Sequence, residues 1–301
     1  MIETPTVLIL GAGSSAHLGY PLGAKLISEL CALPKSRNQE DILFVQRDSG
    51  AIEEFVKRLS RSGHYSIDAF LEQNPEHLEM GRLLIARQLK KQEAIERLFP
   101  PHDSGWYQYL FNKIISGGPE RIHENALSII TFNYDRSLEC YLHEAIQFRC
   151  SLSSDAAAER LRSLQIIHPH GTLGAYPEIS YGQEASKDEL LEISKGIKII
   201  HELHDSPSGF CSREFEAANE CLQQAERILF LGFGFHIDNV RRFNFFTKES
   251  VRGKEIKAAV AGLGTVTKRE MLTRLDPFGF QDTIFDGNIC NNFFDWGTSL
   301  H

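Results

Sequence analysis

The chain predicts an α/β fold built on a parallel sheet, on three observations. Short apolar runs of strand length recur along it, amphipathic stretches separate them, and the first run ends in a glycine-rich turn. A run apolar at every position suits a strand covered on both faces, the usual state of a parallel sheet. Val7-Leu8-Ile9-Leu10, closing on Gly11, is the first. Ser128 to Phe132, Gln165 to His168, Arg227 to Gly232 and Ile256 to Ala261 follow, with a shorter run from Thr283 to Phe285. Helical spacing fills the intervals: Leu138, Tyr141, Leu142 and Ala145 share a face over 135–147, and Phe215, Ala218, Cys221 and Leu222 share one over 212–226. The expected architecture is a Rossmann-like sheet.

One interval is too long for a single crossover. Between Gly11 and Ser128 strand signals are sparse, whereas Ile52, Phe55, Val56 and Leu59 repeat at helical spacing, as do Trp106, Leu110, Phe111, Ile114 and Ile115. Residues 78–98 are rich in Leu, Glu, Gln, Lys and Arg. A structureless loop of that length is anomalous. Residues 37–125 are therefore expected to form an inserted helical subdomain, with 1–36 and 126–301 forming the sheet domain. A second, smaller excursion is expected over 174–210, where Gly, Pro and Ser cluster.

Charge and cysteine usage limit the partners. The net charge is −8, with 32 Lys plus Arg against 40 Asp plus Glu, and a direct nucleic-acid binder usually carries a basic excess or stripe. Arg87 to Lys91 and Arg241-Arg242 are short, and solvated helix faces account for them. The longest apolar run, Ile228 to Phe235, falls far short of the roughly 20 residues that span a bilayer. No direct nucleic-acid or membrane partner is expected. The six cysteines include no C-x-x-C pair, as suits free thiols in a reducing compartment. The N-terminus lacks a basic segment and a cleavable apolar stretch, so a cytoplasmic location is expected.

Gly11-Ala12-Gly13-Ser14-Ser15-Ala16 fits G-x-G-x-x-A directly after a strand. Such glycines let backbone N–H groups approach a phosphate at a helix N-terminus; a tight turn that binds nothing is the alternative. A dinucleotide dehydrogenase also carries an acidic residue about 20 positions further on, at the end of a second strand. Leu30 to Ser36 supplies none.

The longer pattern Gly11-Ala12-Gly13-x-Ser15-x-x-x-Gly19-Tyr20-Pro21 resembles the opening motif of the sirtuin superfamily. Two more matches follow in order. Thr131-Phe132-Asn133-Tyr134-Asp135-x-x-Leu138-Glu139 looks like the sirtuin T-Q-N-x-D-x-L-E segment, and His170-Gly171 looks like its catalytic H-G pair. Gly232-Phe233-Gly234 stands where sirtuins place a glycine turn against the cofactor's ribose. The departures are equally specific. Leu22-Gly23-Ala24 replaces Asp-Phe-Arg, Phe132 replaces Gln, and four zinc cysteines after the H-G pair are lacking. The whole is similar to the sirtuin-like NADase domains of prokaryotic anti-phage defence systems. That resemblance implies an NAD⁺-binding site at Gly11, Ala12, Gly13, Ser15, Pro21, Asn133, Asp135, Gly232 and Gly234. It implies catalysis by Asn133 and His170, no metal, a homo-oligomer, and a sensor or ATPase subunit as partner. Depletion of NAD⁺ during phage infection is the role it implies.

The chemistry asks little of the protein. The leaving nicotinamide is already a pyridinium, so the pair of carboxylates common in glycosidases is not required. His170 is expected as general base toward water, and Asn133 as the amide that holds that water or the carboxamide. Asp135 is expected to orient Asn133 or to cap the following helix. An Asx turn is the alternative for Asn133; a packed histidine or a metal-binding pair is the alternative for His168-Pro169-His170. Leu22-Gly23-Ala24 is expected to leave the pocket open to water. Asp238 and Asn239 suit a ribose or a helix cap, Tyr65 to Asp68 are candidates for the pocket rim, and Phe233, Phe235, Phe243, Phe245 and Phe246 suit a core or oligomer contact. A non-catalytic NAD⁺ or ADP-ribose sensor, a scaffold for a partner ATPase, and a divergent deacylase or ADP-ribosyltransferase remain as alternative functions.

Overall fold

Each of the six apolar runs forms a strand: β1 (Thr6–Leu10), β2 (Leu127–Thr131), β3 (Gln165–Ile167), β4 (Arg227–Leu231), β5 (Glu255–Ala259) and β6 (Ile284–Asp286). They make one sheet in the order β3-β2-β1-β4-β5-β6, parallel at every pairing. The computed structural model describes residues 1–64, 66–101, 105–199, 213–235, 240, 243, 247–259, 269, 273, 284–286, 294 and 300. The strand order is that of the doubly wound, Rossmann-like fold. Thr6 pairs with Leu127 on one side and Arg227 on the other, and Leu10 with Thr131 and Leu231. The three central strands therefore end level, at the point where the chain switches from one half of the sheet to the other.

Strand residues alternate between two apolar layers, as period-two geometry requires. Val7, Ile9, Ile130, Ile228 and Phe230 join Phe215, Ala218 and Leu222 of helix α11 (Arg213–Gln224) on one face. Leu8, Leu10, Leu127, Ile129, Leu229 and Leu231 face the opposite layer. That layer begins with α1 (Gly23–Ala32) and continues through α2 (Gln39–Arg47), α3 (Ser49–Arg61), α4 (Ile67–Gln73), α5 (Leu78–Lys90), α6 (Ile95–Leu98) and α7 (Gly105–Ile114). The segment 37–125 thus holds α2 to α7. Its buried Ile52, Phe55, Trp106 and Leu110 belong to the same cluster as the strand residues.

Local signals explain where these helices start. Asn38 and Ser66 accept backbone N–H groups of Glu40 and Ala69 at the starts of α2 and α4. After β2 come α8 (Ser137–Cys150) and α9 (Ser154–Arg162), and the smaller excursion holds α10 (Lys187–Ser194), opened by a capping box of Ser186 and Glu189. No helix among the described residues is long and apolar enough to cross a membrane. Cys31, Cys140, Cys150 and Cys221 are free thiols, and Cys211 and Cys290 lie outside the described residues.

Candidate active site

A cavity of about 340 Å³ opens at the carboxyl ends of β1, β2 and β4. Ligands of doubly wound sheets bind at this place, because the loops diverge where the strand order reverses. The volume falls within the range of small-molecule sites.

The turns beneath it are held by close backbone contacts. Gly11 N–H donates to the Leu231 carbonyl and Gly13 N–H to the Gly232 carbonyl, both at 3.0 Å. Gly232 has φ +61°, and a Cβ there would stand 2.2 Å from the Ser14 nitrogen. A Cβ on Gly13 would stand 2.7 Å from the Gly232 Cα. These glycines interlock two turns. Gly11, Ala12, Ser15 and Gly234 line the cavity, whereas Gly13 and Gly232 are spent on the contact behind it.

The phosphate-binding helix N-terminus expected after Gly11 needs correction. Ala12–Ser14 and Ala16–Leu18 are single 3₁₀ turns, and the first α-helix, α1, starts only at Gly23. Gly13 N–H is also committed to Gly232. Gly19, at φ +94°, does end the second 3₁₀ turn. Pro21 lines the cavity and lies just before Leu22, the cap residue of α1.

Asn133 and His170 both reach the cavity, from the ends of β2 and β3. Asn133 Nδ2 donates to Ser14 Oγ at 3.1 Å and to Ser15 Oγ at 3.3 Å, and Ser15 Oγ donates to Asp135 Oδ2 at 2.8 Å. Asp135 also accepts the backbone N–H and the hydroxyl of Ser137, at the start of α8. Asp135 thus connects to Asn133 through Ser15 and accepts from Ser137, the first residue of α8, whereas the cap position of that helix is Arg136, which makes no side-chain cap hydrogen bond. Burial raises the Asp135 carboxyl above its usual range, against the pull of the Ser137 and Ser15 hydrogen bonds.

His170 is 6% exposed and stands edge-on to Phe132, ring centroids 5.0 Å apart. Its carbonyl accepts the Lys198 N–H at 2.9 Å. Gly171 follows at φ +74° because the Gly196 carbonyl crosses where a Cβ would be, at 1.9 Å. His168 turns away. Its Nδ1 meets the Asn133 carbonyl at 3.2 Å and its Nε2 meets Glu139 Oε1 at 2.5 Å. Burial works against its charged form, but the Glu139 carboxylate outweighs this and raises its pKa above the usual 6.5. Among the described residues no group of three His, Cys, Asp or Glu side chains is placed to hold a metal ion.

No protein-family model and no curated protein matches the chain.

The remaining walls come partly from aromatic positions within the motifs and partly from residues that no motif marks. Tyr20, Phe132, Tyr134 and Phe233 bring aromatic surface; of the Leu22-Gly23-Ala24 segment Gly23 lines the cavity, and Leu22, 49% exposed, is not part of the lining. Phe132 also touches Phe215, Phe233 and Phe243, so the phenylalanine cluster is core that reaches the cavity floor. Helix α4 supplies Asp68 and Glu72, and its cap residue Ser66 lines the rim. Ile67 is core, and Tyr65, Asp238, Asn239, Phe245 and Phe246 lie outside the described residues. The carboxylates of α4 carry a readable i, i+4 spacing but no motif. Arg136, beside Asp135, is 1% exposed and directs its guanidinium to Glu93 at 2.8 Å and to the Ile179 carbonyl at 2.6 Å. It ties the asparagine turn to the insertion and the second excursion, a contact between distant segments that local spacing does not announce.

Proposed function

We propose that the protein is an NAD⁺ glycohydrolase, which cleaves the bond between nicotinamide N1 and ribose C1′. The observation that carries this reading is the meeting of Asn133 and His170 in one cavity at the switch point of a dinucleotide-binding strand order. Fold alone would not suffice, since such sheets host many activities.

In this reading both bonding electrons leave with the nicotinamide nitrogen, which departs neutral, and an oxocarbenium ion forms at C1′. Asn133 donates its amide hydrogens to Ser14 and Ser15, so Oδ1 is the atom that accepts from the attacking water. His170 takes the proton that this water gives up as its oxygen bonds to C1′. The products are nicotinamide and ADP-ribose. The likeness to sirtuin-like NADases of anti-phage defence extends the proposal to depletion of NAD⁺ by a cytoplasmic homo-oligomer, restrained by assembly or by a partner ATPase or sensor.

The rival is a binder of NAD⁺ or ADP-ribose that performs no chemistry. The near-complete burial of His170 against Phe132 and Phe215 favours it, because a packed core histidine sits in this way. Incubation with NAD⁺ and chromatography of the products separates the two. Nicotinamide and ADP-ribose are expected from the wild type, with a loss of about 10²-fold or more in His170→Ala and Asn133→Ala. Bound but intact NAD⁺, with the partner present, would overturn the hydrolase.

A further inference from the structure

Asp68 and Glu72 lie one turn apart on α4, and both line the cavity that the glycine turns also line. A spacing of four residues places them on one helix face. Tyr134 donates its hydroxyl to Asp68 Oδ1 at 2.8 Å, which holds that carboxylate beside the turn carrying Asn133. The third carboxylate at the cavity, Asp135, is occupied by Ser15 and Ser137. The described lining residues include no lysine or arginine. The wall from the inserted helix is therefore anionic, and it faces a partly enclosed space where charge attracts charge more strongly than in open water.

We propose that Asp68 and Glu72 read the charge of the nicotinamide ring, so that the site takes oxidised NAD⁺ and discriminates against NADH. This rests on the glycohydrolase reading of the same cavity. The pyridinium of NAD⁺ carries one positive charge, whereas the dihydropyridine of NADH is neutral and otherwise nearly the same shape. When the C1′–N1 bond breaks, the positive charge moves from the ring to the ribose and stays beside the same wall. The neutral nicotinamide product then loses the attraction and is free to leave.

The test compares the wild type with Asp68→Asn, Glu72→Gln and the double variant. NADH is titrated as a competitive inhibitor of NAD⁺ cleavage, and calorimetry with each dinucleotide reads binding wherever turnover is absent. In the wild type the inhibition constant of NADH is expected to exceed the KM for NAD⁺ by about tenfold. That ratio is expected to shrink toward one in the double variant through a rise in the NAD⁺ KM, with the melting temperature unchanged. Equal affinity of the wild type for both forms would overturn the proposal, as would an unchanged ratio in the double variant. Turnover without discrimination thus removes the charge reading and leaves the hydrolase. Preferential binding of NAD⁺ without turnover does the reverse, and no binding of either removes both.

Discussion

On the sheet side of the cavity the backbone itself is locked. Gly11, Gly13 and Gly232 interlock at distances that admit no side chain, and Asn133, Ser15, Asp135 and Ser137 form a continuous hydrogen-bonded chain. On the helix side, the described side-chain hydrogen bond that joins α4 to the asparagine turn is that of Tyr134 to Asp68. In the proposed hydrolase the first wall is the one that positions the reacting groups, where small displacements cost rate steeply. The second wall contributes charge, whose effect falls off gradually with distance.

The largest expected effect lies on the locked side. Gly232→Ala places a Cβ 2.2 Å from the Ser14 nitrogen and forces a non-glycine residue to φ +61°. A loss of at least ~3 kcal/mol in stability is expected, together with loss of activity. Urea unfolding reads the first and product chromatography the second. An alanine variant of wild-type stability would show that the interlock is not rigid.

An intermediate effect belongs to His168, which holds the Asn133 carbonyl and pairs with Glu139. Its folded-state pKa is raised above 6.5, so the folded protein binds that proton more tightly than the unfolded chain. The stability it contributes is fully present below pH 6.5 and is lost as pH rises through the raised value. The melting temperature of the wild type is expected to fall, relative to His168→Gln, as the buffer is taken upward from pH 6.5. Parallel pH curves for the two proteins would remove the pair from the stability of this wall.

The smallest effect is expected on the helix side. Tyr134→Phe deletes one hydrogen bond to Asp68, a change of about 1 kcal/mol. The expected result is a higher KM for NAD⁺ with kcat nearly unchanged. A fall in kcat as large as that of Asn133→Ala would mean that the two walls act as one unit.

Much of the fold was readable along the chain because strands covered on both faces need uninterrupted apolar runs. Val7 to Leu10 and Arg227 to Leu231 announce themselves this way, and Ile52, Phe55, Val56 and Leu59 announce a helix by spacing. Asn133 and His170 were legible from short motifs next to strand ends. The missing acidic residue shows where such reading stops. No strand end lies about 20 residues beyond Gly11 to carry it, because α1 to α7 separate β1 from its neighbour β2 in the chain. The turn at the end of β2 carries Asp135, and pairing in space decides that it lies beside the glycine turn.

By itself the sequence determined the strands, most helices, the glycine turns and the two residues proposed to react, because these follow from local periodicity and short-range sterics. Only the tertiary structure decided that Gly13 and Gly232 serve each other, that the first turn is 3₁₀ and not an α-helix, and that Asp68 and Glu72 line the same cavity as Asn133. Those facts depend on which distant segments share one apolar layer and on where backbones cross within van der Waals contact. Both are properties of packing in three dimensions, which the spacing of residues along a chain does not record.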